Sequence, residues 1–144
     1  MENSDTTKLL RECDSGSKMA VNGIDEVLEH VSDSELKKLL VETKKHHEKL
    51  GNDLHEMLNE KGSEEKDPPV IAKGMSWMKT NVKIGMDSSD NTIAELIVDG
   101  CDMGIKSLYR YLNQYKGADK EARNIAERLI ASEEYLEAKM RSYL

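Results

Sequence analysis

The 144-residue sequence predicts an all-α fold, a bundle of four long helices with a short crossover helix between the two helix pairs. Three observations point there. Only two prolines occur, adjacent at 68–69, so most of the chain has no strong helix breaker. Phe is absent and aromatic residues make up 4%, which leaves a core of Leu, Ile, Val and Met and argues against a β sandwich. Apolar residues recur every three or four positions over long stretches, the period of a helix with one buried face.

The spacing predicts a first helix over 6–31, with Leu9, Cys13, Ala20, Ile24, Val27 and Val31 on one face. "SDSE" at 32–35 reads as a capping box, Ser32 the cap and Glu35 its reciprocal partner. A second helix over 33–61 follows, with Leu36, Leu39, Thr43, Leu50, Leu54 and Met57 inward and Gly62 as a left-handed stop. Residues 62–69 form a polar linker closed by the prolines, and 70–86 a shorter third helix. A fourth spans 92–116, carrying Ile97, Cys101, Gly104, Leu108 and Leu112, with Gly117 as its stop. Asp119 caps the last, 119–143, which buries Ile125, Leu129, Leu136 and Met140. Helices of about 25 residues are roughly 37 Å long, so residues 1–144 make one bundle domain. Gly16, Ser17, Ala20 and Gly23 on the first helix, with Gly100 and Gly104 on the fourth, punctuate these faces and are expected to let backbones approach closely rather than to make room for a ligand.

Composition bounds the function. A formal net charge of −7 opposes general nucleic-acid binding, which needs a basic field. No apolar run follows Met1 and no stretch approaches the ~20 apolar residues that span a bilayer. The expected location is cytoplasmic, with Cys13 and Cys101 as free thiols acting as small core hydrophobes.

Three of the four histidines fall in "LVETKKHHEKLGNDLHEML", residues 40–58, beside several carboxylates. A di-iron centre in such a bundle takes Glu-x-x-His from two helices and one Glu from each of the others. No Glu-x-x-His exists here: Val27, Thr43, Lys44 and Asn52 stand three positions before the histidines. With Leu50 inward and ~100° per residue, His46 lies about 40° to one side and His47 about 60° to the other. His55 points largely outward. Glu133 falls between Leu129 and Leu136 on the last helix. The candidate metal ligands are therefore His46, His47 and Glu133, with Glu42 and Asp102 as further candidates. A His–Glu hydrogen bond that fixes helix register is the plainer use of the same residues.

The runs "LLRECDSGSKMAVNGIDEVL", "DSELKKLLVETKKHHEKL", "KGMSWMKTN" and "LIVDGCDMGIKSLYRYLNQY" resemble a small bacterial branch of the ferritin-like superfamily whose members are domains of unknown function. The resemblance covers nearly the whole chain. It implies a ferritin-like four-helix bundle in a bacterium, such as a gut or spore-forming Firmicute. The ligands of rubrerythrin and ferritin do not carry over, because their motif is missing from this sequence.

The leading expectation is thus a non-enzymatic binding or scaffolding module with no cofactor, working as a homodimer. Leu96, Met103 and Ser107 form a second strip on the fourth helix, suited either to receive helix 70–86 or to self-association. The first alternative is a metalloprotein holding iron, manganese or zinc at the His/carboxylate centre. The second is a peripheral adaptor that meets a membrane or acidic partner through Lys73, Trp77, Lys79 and Lys83 on helix 70–86.

Overall fold

The structure, a computed structural model, describes residues 4–66 and 89–144. Four α-helices and no strand occur among them: α1 (Ser4–Leu28), α2 (Ser34–Glu60), α3 (Asp90–Gln114) and α4 (Lys120–Met140), followed by a 3₁₀ turn, Arg141–Tyr143. The expected helix 70–86, with Lys73, Trp77, Lys79 and Lys83, lies outside the described residues.

Helices α2, α3 and α4 each start where a side chain can satisfy free N–H groups. Asp33 caps α2, accepting from Glu35 N and Leu36 N, so the cap falls one residue later than the expected Ser32. Ser89 accepts from Thr92 N at the start of α3, and Asp119 from Ala122 N at the start of α4. Gly62 ends α2 with φ +66°, the left-handed conformation that favours glycine. Gly117 is not such a stop; α3 ends at Gln114, and Gly117 N donates to Asp5 Oδ2 instead.

Polar contacts also weld the ends of the bundle. Asp119 N donates to Thr6 Oγ1 at 2.7 Å, which joins the start of α4 to the start of α1. At the other end both carboxylate oxygens of Asp90 accept backbone N–H groups, from Ser32 and Asp33, at 2.9 Å each. The start of α3 therefore sits beside the start of α2, while its end reaches the start of α1. Hence α2 and α3 run parallel, and the end of α2 and the start of α3 lie at opposite ends of the bundle.

The pairs α1–α2 and α3–α4 pack most extensively, and α1 with α4, α1 with α3 and α2 with α4 close the interior. That interior holds two apolar clusters. One gathers Leu9, Leu10, Leu50, Leu54, Leu112 and Leu129 near the start of α1. The other gathers Ile24, Val27, Leu36, Leu40, Ile93 and Met140 near its end. A fully buried Leu contributes about 1.5–3 kcal/mol by burial, so these clusters, not helix propensity, drive folding. Cys13 and Cys101 are free and buried within them. Burial pushes the Cys13 thiol up to about 12 and raises that of Cys101, which keeps both protonated and unreactive. Tyr111 and Tyr115 stack at 6.3 Å against the first cluster, whereas Tyr109 is exposed.

The glycines divide by use. A Cβ at Gly16 or Gly100 would meet nothing within 4 Å, so these positions do not mark close helix approach. Thermal or urea unfolding should therefore show Gly100→Ala stabilising the protein by about 0.5–1 kcal/mol, from helix propensity alone. Gly62→Ala should destabilise it by about 1 kcal/mol, because its backbone is left-handed.

Candidate functional site: two histidine–carboxylate clusters

Between the two apolar clusters the helices supply polar or small side chains at one level. Thr43 and His47 come from α2, Ser17 from α1, Gly104 from α3 and Glu133 from α4. They meet because the three-four spacing that buries Leu40, Leu50 and Leu54 also buries Thr43 and His47.

His47 has no solvent exposure, and Glu133 keeps a side-chain exposure of 12%. His47 Nδ1 lies 3.0 Å from the carbonyl oxygen of Thr43, one turn back. A carbonyl only accepts, so Nδ1 carries a hydrogen. His47 Nε2 lies 3.0 Å from Glu133 Oε1, a bond across the bundle between α2 and α4. A neutral ring with its hydrogen on Nδ1 would present a lone pair to that carboxylate. A proton between Nε2 and Oε1 removes this repulsion, and the result is an imidazolium–carboxylate pair. Burial pulls the pKa of His47 down, but the hydrogen bond and charge of Glu133, with the Thr43 carbonyl, outweigh it and raise it above the ordinary value.

The backbone around the pair is also tied. Ser17 Oγ donates to the carbonyl of His47 at 3.1 Å, which links α1 to α2 at this level. Gly104 faces the Glu133 carboxylate; a Cβ there would stand 3.5 Å from Oε2. That is ordinary van der Waals contact, so an alanine would also fit beside the carboxylate.

Of the residues expected to ligate a metal, the structure brings His47 and Glu133 together. His46 is exposed, its ring edge-on to His47 at a centroid distance of 6.4 Å. Burial and the charges of His47, Arg128 and Lys49 lower its pKa. Glu42 is exposed on α2. Asp102 is exposed on α3, where it accepts a hydrogen bond that raises the Glu137 carboxyl.

A second cluster lies outside the expected set. His55, expected to point outward, turns one edge of its ring inward: Nε2 lies 2.9 Å from Asp14 Oδ1 and 2.8 Å from Glu65 Oε1. Asp14 is wholly buried on α1, although the expected face of that helix holds no central carboxylate. A signal for it does exist, since Asp14 stands four residues after Leu10 and three before Ser17, both buried. Glu65 belongs to the segment after α2, whose position no helical period reveals.

These features define a class, an all-α bundle whose interior is divided by a buried histidine–carboxylate layer. A family model described as "Domain of unknown function (DUF2383)" matches residues 5–114, and the chain belongs to that family. Among solved structures it is similar to a conserved hypothetical protein, rv2844, from Mycobacterium tuberculosis. That similarity has a TM-score of 0.74 over 100% of both chains at 15% identity, which establishes a shared fold. Comparison with curated proteins gives no match. Among the described residues no helix is long and apolar enough to cross a membrane.

The pair carries a pH prediction. The folded pKa of His47 is raised above its unfolded value of about 6.5, so its stabilisation is complete below that pH. It is lost as pH rises through the folded pKa. Exposed His46, lowered in pKa, acts in the opposite sense, so the measurement is a difference between proteins. Glu133→Leu should lose roughly 3–5 kcal/mol at pH 6 by stranding a buried charge, and distinctly less at pH 9, in denaturant unfolding compared with wild type.

Proposed function

We propose that this chain is a non-enzymatic helical-bundle module that works by binding, and that it follows the ferritin-like plan without a ferritin-like reaction centre at its middle. The observation that carries this reading is the closure of the central layer. Both ring nitrogens of His47 are committed to the protein, one to Thr43 and one to Glu133, within a wholly buried side chain. At that level α1 brings a serine and α3 a glycine, so two of the four helices contribute no carboxylate or imidazole. The ferritin-like plan is supported by parallel α2 and α3, with the end of α2 and the start of α3 at opposite ends of the bundle.

The partner that fits best is a second copy. Met103 on α3 is 61% exposed, beside half-buried Leu96 and Ser107 on the same strip. An exposed apolar strip of this kind can pair with its own copy across a twofold axis. A metal held by His46, His47 and Glu133 is the alternative reading. It would require His46 to turn in from the surface and His47 to exchange its Glu133 hydrogen bond for the ion.

Both parts are tested on full-length protein without a histidine tag. Light scattering should give a dimer that Met103→Glu converts to monomer; a wild-type monomer would contradict the self-association. Elemental analysis should find no iron, manganese or zinc whose retention depends on His47 and Glu133. One ion per chain that is lost in His47→Gln would contradict the closed layer.

A further inference from the structure

We infer that Asp14, His55 and Glu65 form a binding site for a divalent transition cation of the zinc, manganese and ferrous class, on the side of the central layer remote from the start of α2. The site is separate from the central layer, since His55 lies eight residues beyond His47 on α2, about 12 Å along the axis.

Three donor atoms converge there. Asp14 Oδ1, His55 Nε2 and Glu65 Oε1 all lie within 4.8 Å of one another. The separations of the two oxygens from Nε2, 2.9 and 2.8 Å, approach the roughly 3 Å between neighbouring ligands around an ion with bonds of about 2.1 Å. One imidazole and two carboxylates are a donor set for zinc, manganese or ferrous iron, and too nitrogenous for calcium.

Proximity of charges alone would not make a site; the hydrogen bonding points to a ligand. The Asp14 side chain has no solvent exposure, and its Oδ1 has no hydrogen-bond partner among the described residues. The same holds for His55 Nε2, a buried atom on a ring whose other edge reaches solvent. The two atoms are 2.9 Å apart, yet the contact lacks the alignment of an N–H···O bond. Both atoms are thus left without a partner at the mouth of the same cluster. Leaving two buried polar atoms without partners is unfavourable, and a shared cation removes that cost for both.

The supporting contacts have the form of an outer shell. Asp14 Oδ2, the oxygen turned away from the cluster, accepts from Lys66 N at 2.9 Å and lies 3.2 Å from Lys18 Nζ. Lys66 also pairs with Glu12, which fixes the segment after α2 on α1. A ligating carboxylate held through its second oxygen is the usual device for aiming the first. Lys18 also stands 3.3 Å from Glu65 Oε1 and would swing outward when the cation neutralises both carboxylates. The cation would clamp α1, α2 and residues 63–66 together.

The test is zinc titration of chelator-stripped, untagged full-length protein by calorimetry, with thermal unfolding in parallel. One zinc per chain is expected, with a raised Tm. Affinity should fall by more than about tenfold in Glu65→Gln, an exposed change that leaves the core intact, and in His55→Ala. It should persist in His47→Gln. Absence of saturable zinc binding would overturn the site, as would binding unchanged in both Glu65→Gln and His55→Ala, or binding lost in His47→Gln but kept in His55→Ala.

Discussion

The hydrogen bond between His47 and Glu133 is the constraint on which the interior depends. It crosses from α2 to α4 at the level where two apolar clusters meet, and it joins two ionisable side chains there. Apolar side chains tolerate sliding by a turn; a buried imidazolium facing a carboxylate does not. A one-turn shift of α2 would place Thr43 or Leu50 opposite Glu133 and strand both charges. The pair thus adds little to net stability over a hydrophobic replacement, while it penalises every other register.

The surrounding residues follow from that constraint. Ser17 reaches the His47 carbonyl from α1, and Gly104 lies against the Glu133 carboxylate from α3. Thr43 supplies the carbonyl that decides which ring nitrogen carries its hydrogen. Asp33, Asp90 and Asp119 then fix the helix ends relative to this level, so the bundle is pinned at its middle and at both extremities.

Much of this is readable in the sequence because the helical period is simple. Leu36, Leu50, Leu54, Ile125, Leu129 and Leu136 announce the inner faces, and Glu133 is inward by the same count. The count from Leu50 brings both His46 and His47 to the interior edge, and only the fold separates buried His47 from exposed His46. The turn residues are less legible: Asp33 rather than Ser32 caps α2, since the cap is decided by one residue's backbone angles. The helical count does put Asp14 inward, one turn after Leu10, but its use is unreadable until His55 on another helix is known. Glu65 is out of reach for a stronger reason, as only tertiary folding of the segment after Gly62 brings it to His55.

The most direct measurement of the closed central layer is the protonation of the His47 ring, read from long-range ¹H–¹⁵N correlations of ¹⁵N-labelled protein at about pH 6, near the ordinary histidine pKa. Two imidazolium-type nitrogens, one bonded to Thr43 and one to Glu133, are the expected result. A neutral ring with one unprotonated nitrogen facing Glu133, or a His47 shift pattern that moves to a metal-bound form on adding zinc, would contradict it.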